Sequence, residues 1–264
     1  MRSAFDCAAE LVFRPEQVRT FETVLFRYGQ LDRQEAFVDA ILKKIRAIPG
    51  VVSAGASNEL PLRAHDAVAT FYWLEGQPRR EANTQVAQMR VVTRDYFSTI
   101  GATLSEGRWF ESTDRRSDAP VAIVNETFAH RSFAGRSAIG ARFKYGQFDE
   151  KSYWYTIVGV VKDIRETALT EAARPTVYRV QDQADQVGIQ TSSFVVRTSV
   201  DPLSIVPAVR QAVWSVDPNQ AIWQFKTLGS VVDREFATSR QSTALMTAFA
   251  LLALVLTSLG LYGV

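Results

Sequence analysis

Apolar positions recur at helical spacing in two places far apart in the chain, and each helical pattern is bracketed by short runs rich in β-branched and aromatic residues. In the first place, Thr20 to Phe26 (TFETVLF) predicts a strand, Gln34 to Ile48 a helix and Val51 to Ser57 a second strand. The helix sets Phe37, Ile41, Ile45 and Ile48 on one stripe and leaves Asp39, Lys43 and Arg46 elsewhere. Asp32, with Glu35 three residues on, predicts its N-cap, and Pro49-Gly50 its end. In the second place, Ser193 to Thr198 predicts a strand, Pro202 to Val216 a helix with Val206, Val209, Val213 and Val216 on its stripe, and Ala221 to Phe225 a strand. Asp201-Pro202 predicts the cap and first turn of that helix, and Asp217-Pro218-Asn219 its end. Two βαβ-like units therefore flank a long insertion, and packed together they predict a split α/β sandwich of the ferredoxin-like kind.

The insertion reads as mainly β. Ala67 to Leu74, Gln85 to Val92, Val121 to Asn125, Tyr153 to Val161 and Thr176 to Val180 each combine β-branched and aromatic residues, and two short helices are predicted over Arg94 to Ile100 and Glu126 to Phe133. At the C-terminal end the pattern changes again. Gln241 to Val264 (QSTALMTAFALLALVLTSLGLYGV) holds no charged residue, and past Ala244 its polar interruptions are Thr247, Thr257 and Ser258. At about 1.5 Å of rise per residue the run from Ala244 spans roughly 30 Å as a helix, the thickness of a bilayer's hydrocarbon core. It is expected to be a membrane-spanning helix, with the chain a fragment that stops inside it.

Composition removes several function classes. The 264 residues carry 30 basic and 28 acidic side chains, a formal net charge of +2 and 47% apolar residues, so the chain has material for a sizeable core but no strong field for nucleic acid. Cys7 is the single cysteine and no intrachain disulfide can form. Met1 to Glu10 lacks the apolar stretch of a secretory signal, so export would depend on something upstream. No G-x-x-x-x-G-K-[ST] loop and no Gly-Lys pair exist to cradle ATP phosphates, and no G-x-S-x-G nucleophile elbow is present. Gly55-Ala56-Ser57-Asn58 reads instead as a strand end leading into a loop. His65 and His130, with Cys7, do not make a zinc site. His130 is expected on a helix surface, and His65-Asp66 in a loop. Catalytic, cofactor-binding and metal-ligating residues are accordingly expected to be none, and the chain is not expected to be an enzyme.

The remaining motifs read as scaffold. Glu111 to Asp118 (ESTDRRSD) and Arg79-Arg80-Glu81 mix signs between strands, as solvated loops do. Gly101, Gly107 and Gly159 read as turns after a helix or close packing within a strand. On a strand, Phe71 and Trp73 face one side and Tyr72 the other.

Taken in order, VVTRDYFSTIGATLSEGRWF (Val91 to Phe110), APVAIVNETFAHRSF (Ala119 to Phe133) and TIVGVVKDIRETAL (Thr156 to Leu169) resemble the periplasmic core domain of MacB-like ABC transporter permeases. The final FALLALVLTSLGLYGV (Phe249 to Val264) resembles the start of the FtsX-like permease domain that follows it, and the beginning (MRSAFDCAAELVFRPEQVRTFE) the end of a first membrane helix. The variant it looks most like is the acidobacterial-type duplicated orphan permease. The resemblance implies residues 1–13 as the end of a preceding membrane helix or linker, 14–57 plus 191–240 as a porter-like α/β lobe, 58–190 as an inserted sabre-like lobe, and 241–264 as the start of a transmembrane helix. It implies an extracytoplasmic position for residues 14–240, anchored in the bacterial inner membrane. It also implies a separate cytoplasmic ATPase subunit, a second permease copy or duplicated half, and a periplasmic partner. The expected function is to couple ATP-driven movement to export or mechanical work. The alternative is a static ligand- or partner-binding domain on a membrane anchor, which an adjacent ATPase gene would disfavour.

Overall fold

The computed structural model describes residues 14, 16–25, 28–62, 69–77, 85–115, 119–146, 153–165, 171–183, 191–231, 249, 253 and 256–258. Two interleaved units form the first part of the fold: β1 (Val18–Val24), α1 (Leu31–Arg46) and β2 (Val51–Ser57), then β10 (Thr191–Thr198), α4 (Val206–Trp214) and β11 (Trp223–Thr227). Their strands run in the order β11-β1-β10-β2 and every neighbouring pair is antiparallel. Each unit's two strands thus hold a strand of the other between them, so neither half is complete alone.

The helices cover one face of this sheet. Phe37, Val38, Ile41, Leu42 and Ile45 of α1 pack with Val209 and Val213 of α4 over Phe21, Ala54, Ala56, Phe194 and Val196. Burying each of the large side chains is worth roughly 1.5–3 kcal/mol, which makes this layer the main support of the four strands. Phe21 lies flat on Phe194, with ring centroids 4.8 Å apart.

Both predicted caps are displaced. Helix α1 begins at Leu31 after Gln30, which makes no side-chain capping bond, and Asp32 sits in the first turn where its charge meets the positive end of the helix. Asp201 caps a turn instead of a helix: its Oδ1 accepts from the Leu203 N–H at 2.9 Å, and α4 starts five residues later with Pro207 in its first turn.

The insertion holds β3 (Ala69–Leu74), β4 (Gln85–Val92), α2 (Tyr96–Ile100), β5 (Leu104–Gly107), β6 (Val121–Asn125), α3 (Glu126–Phe133), β7 (Arg142–Tyr145), β8 (Tyr155–Val161) and β9 (Thr176–Val180). Strands β5 and β7 have no counterpart in the sequence reading, because LSEG and RFKY are only four residues long and interrupted by charged side chains. Six strands close into a ring in the order β4-β3-β7-β8-β6-β9, completed by parallel pairing of β9 with β4, while β5 adds to β8 outside it. Tyr72, Ala87, Ala122, Phe143, Tyr155, Ile157 and Val177 come from all six ring strands and form one cluster with Phe128 of α3. Residues of six strands can meet this way only on the inside of the closure. Tyr72 is fully buried there against Phe128, while Phe71 stays exposed, as strand alternation predicts.

The ring joins the first sheet through a short antiparallel contact, Ser57 to Val92, so all eleven strands are hydrogen-bonded into one continuous sheet. A third apolar cluster lies between the two parts. It draws Val18, Val195, Leu228 and Val231 from the first part and Val92, Ile123, Val161, Tyr178 and Val180 from the ring, with Phe97 and Ile100 of α2. Gly55 is what lets α2 come this close: a Cβ there would sit 2.7 Å from the Tyr96 Cα.

The apolar C-terminal run falls almost wholly outside the described residues. Phe249, Ala253, Leu256, Thr257 and Ser258 are helical, and the Thr257 hydroxyl donates to the Ala253 carbonyl at 2.7 Å, the back-bond expected of a hydroxyl in an apolar helix. Among the described residues no helix is long and apolar enough to cross a membrane, so the expected spanning helix is not shown.

Candidate functional site where the chain enters and leaves the domain

Strands β1 and β11 are the first and last of the fold, and they are antiparallel neighbours with Arg19 opposite Thr227. The chain therefore enters at residues 14–18 and leaves at 227–231 from the same end of the sheet, about one strand spacing apart, some 4.8 Å. Val18 and Leu228, next in register beyond that pair, are both fully buried in the shared cluster.

Arg197 fastens the incoming segment. Its Nε donates to the Thr99 carbonyl at 2.8 Å, Nη1 to that of Glu16 at 3.2 Å and Nη2 to that of Arg14 at 2.8 Å. The Arg14 N–H in turn donates to Ile100 O at 2.8 Å, at the C-terminal end of α2. Gly101 closes α2 in the left-handed region at φ 73°, and a Cβ there would lie 3.1 Å from both Arg14 Cβ and Arg197 Nη2. Burial lowers the proton affinity of Arg197, yet a guanidinium stays charged, so the three carbonyls receive charge-assisted bonds. Further bonds tie the same end together: Thr198 N–H to Gln17 O at 3.0 Å and Ser199 N–H to Gly50 O at 2.9 Å. Together these bonds clamp the incoming segment to the sheet and to α2.

A second polar feature is a cleft of about 320 Å³ lined by Asp39 and Arg46 of α1, Thr93, Arg94 and Asp95 ahead of α2, Phe110, Ser112 and Asp182. Arg46 pairs with Asp95 at 2.7 Å and Arg94 with Asp182 at 3.2 Å. Burial, then the charge of Asp182, pushes the Asp39 carboxyl above the usual carboxylate range. These pairs are partly exposed and add little stability.

Of the side chains weighed in the sequence, His130 is exposed in the last turn of α3, and no group of three His, Cys, Asp or Glu able to hold a metal occurs among the described residues. Cys7, His65, Asp66, Arg79 to Glu81 and Arg116 to Asp118 lie outside the described residues. Gly159 and Gly107 face each other between β8 and β5, and a Cβ on Gly159 would sit 2.4 Å from the Arg108 carbonyl.

The solvated-loop reading of Glu111 to Asp118 fails at Asp114. That carboxylate is only 5% exposed, takes both Arg108 Nη atoms at 2.8 and 2.9 Å, and accepts from the Glu111 N–H at 2.7 Å. Burial pushes the Asp114 carboxyl up, but the Arg108 and Glu111 hydrogen bonds and the charges of Arg108 and Arg94 together outweigh it and hold it below the usual range. Asn125 was likewise missed as a keystone: fully buried, it accepts from Phe128 N–H at 3.0 Å and Thr176 N–H at 2.9 Å, and donates to Arg174 O at 2.9 Å. Inside the ring, Arg179 is buried with its guanidinium 4.9 Å from the Tyr145 ring centre and 5.2 Å from that of Tyr155.

The described residues thus form a mixed α/β domain whose first and last described strands are neighbours in one sheet. Residues 15–215 match the MacB-like periplasmic core domain family, and the chain belongs to that family. Its fold is similar to the periplasmic region of MacB from Actinobacillus actinomycetemcomitans, at 12% identity and a TM-score of 0.56 over 84% of this chain and 94% of that one. It is similar also to the extracellular domain of the noncanonic ABC-type transporter YknZ from Gram-positive bacteria, at 14% identity and TM-score 0.52 over 79% and 99% of the two chains. A domain of a putative permease from Porphyromonas gingivalis matches at 15% identity and TM-score 0.50 over 81% and 92%. No curated protein matches the chain. The chain is thus a periplasmic, extracytoplasmic domain of the MacB-like ABC permease type.

Proposed function

We propose that this domain couples movement of an ABC transporter permease, driven by a separate cytoplasmic ATPase, to export or mechanical work across the envelope. The observation that carries the reading is the antiparallel pairing of β1 with β11, which brings both tethers to one end of the sheet. Two membrane helices entering a body through adjacent strands can tilt it as a unit. On this reading residues 1–13 end a preceding membrane helix or linker and 241–264 begin the next, in the inner membrane. Residues 14–57 with 191–240 are the porter-like lobe, and 58–190 the sabre-like lobe. The lobe works without chemistry of its own, and its partners are the ATPase, a second permease copy or duplicated half, and a periplasmic protein.

The test places paired spin labels on the two copies of the domain in the assembled transporter and measures their separation with and without ATP. A shifted distance distribution under turnover is the expected result. An unchanged one would mean a static binding module, and nucleotide hydrolysis by the domain itself would contradict the assignment.

A further inference from the structure

Helix α4 lies at the margin of the sheet. Its Val209 and Val213 enter the apolar layer, and past it the sheet ends at β11, which among the described residues pairs with β1 alone. At helical spacing its outer flank carries Pro207, Arg210, Gln211 and Trp214, which with Ser215 line a hollow of about 520 Å³. Pro207, Gln211, Trp214 and Ser215 are exposed, so the hollow is a surface groove and not an enclosed cavity.

Two side chains give the groove its chemistry. The Trp214 indole is 43% exposed yet fixed, because its Nε1–H donates to the Gln220 carbonyl at 3.2 Å. The Arg210 guanidinium lies over the Phe225 ring, 4.7 Å from its centre, and among the described residues no carboxylate or carbonyl engages it. The acids of the neighbouring segments are committed elsewhere. Asp217, just past the helix, accepts from the Tyr28 hydroxyl at 2.7 Å and the Asn219 N–H at 2.9 Å, and Glu22 of β1 accepts from the Trp223 indole at 3.1 Å. Lys44 of α1 adds a second positive charge at the rim, donating to Ser215 Oγ at 2.7 Å. Apolar walls thus surround a positive charge that the domain leaves without a counter-ion.

We infer that this groove receives an acidic segment of a partner protein, which lays an apolar side chain on Trp214 and Pro207 and a carboxylate on Arg210. The inference deepens the proposed function and rests on it for the existence of a periplasmic partner. A single exposed tryptophan needs no explanation, but Trp and Arg side by side, each held by the fold, are the side chains that carry most interface energy. A guanidinium preset by stacking offers paired N–H donors to a carboxylate and loses little freedom on binding. Position agrees with this occupant. Gln220 also donates to Val24 O, at the end of β1 remote from residues 14–18, so Trp214 sits at the end of the first sheet away from the tethers and, on the proposed function, away from the bilayer.

The test uses the full 264-residue chain in nanodiscs and, as probe, a display library of random dodecapeptides. Retained peptides are expected to combine Asp or Glu with an aromatic or long aliphatic residue. Arg210→Glu and Trp214→Ala should each weaken them at least tenfold and Arg210→Lys less, with urea midpoints showing that the variants stay folded. Replacing the peptide carboxylates by amides should reproduce the Arg210→Glu loss on the unaltered chain. Absence of retained peptides, retention of peptides without acidic residues, or equal affinity for Arg210→Glu overturns the site. Arg210-dependent binding of decanoate without any such peptide overturns it in favour of a small amphiphile, and Trp214-dependent self-association of the chain in favour of a second copy. None of these outcomes alters the ATP-dependent distance between the two domain copies, so the coupling reading stands or falls by its own test.

Discussion

Replacing Asn125 by Ala should be among the most damaging changes available to a small polar side chain in this domain. Asn125 is fully buried and its amide serves three backbone groups: it caps α3 through Phe128 N–H, holds the first residue of β9 through Thr176 N–H, and donates to Arg174 O. Loss of a helix N-cap costs about 1 kcal/mol. The Thr176 N–H, buried and left without its acceptor, adds about 1–3 kcal/mol of unrepaid desolvation. Arg174 O keeps the Thr176 hydroxyl at 2.9 Å, so its loss is small. The sum is about 2–4 kcal/mol, or about 5–15 °C in Tm for a body of this size. Urea and thermal unfolding followed by circular dichroism would measure it. Asn125→Asp keeps the acceptor for both N–H groups and should recover part of the loss, at the cost of a buried charge. A change below 1 kcal/mol in the alanine variant, with an unaltered m-value, would refute the accounting, since the orphaned N–H would then have found another partner.

Ile41→Asp, at a fully buried position of the α1 stripe, should cost about 4 kcal/mol or more, because a carboxylate enters an apolar layer without a partner; failure to lower the urea midpoint would place α1 off the sheet. For Asp114, whose folded carboxyl lies below its unfolded range, the stabilisation is present above about pH 4 and is lost as pH falls through the depressed value; the stability gap between the native chain and Asp114→Asn should therefore shrink steadily between about pH 5 and pH 2, and a gap independent of pH would contradict the assignment. Arg197→Met removes three bonds to backbone carbonyls, so amides of residues 16–19 should exchange with solvent at least tenfold faster while those of α1 change little, and equal rates in both variants would show that the clamp does not hold the incoming segment.

The interleaved sheet was legible because its signals are local. Period 3.6 in α1 and α4, and β-branched runs on either side of each, needed only a window of about fifteen residues. The ring closure was not, because it depends on parallel pairing of Gln88–Val92 with Thr176–Val180, far apart in sequence, and on strands such as Arg142–Tyr145 whose outward charges hide the pattern. The buried roles of Asp114 and Asn125 were hidden for a common reason. A polar residue beside a turn looks solvated in sequence, and only a folded neighbour, Arg108 or Thr176, shows that it satisfies buried backbone instead. The clamp was invisible too: Arg197 sits at an ordinary strand end, and its three acceptors come from segments that meet it only through β1 and α2.

Motion imposed at the tethers has two routes into the ring. The insertion leaves the first sheet after Ser57 and returns at Thr191, both at the end away from the tethers, because Ser57 lies opposite Ser193 and Val24 opposite Thr191. If that were the only connection, two strand ends would act as a hinge and a tilt of the first sheet would be lost in bending. The shared cluster changes this. Val18 and Leu228, beside the tethers, lie in the same apolar layer as Tyr178 and Val180 of the ring, and α2 is bound to the incoming segment through Arg14 and Ile100. Separating the two parts would expose that layer at roughly 25 cal/mol per Å², a cost paid over many side chains at once. Interiors packed this way deform little, so on the proposed function a displacement at residues 14–18 or 227–231 would be carried to the far strands of the ring as rotation of the whole domain.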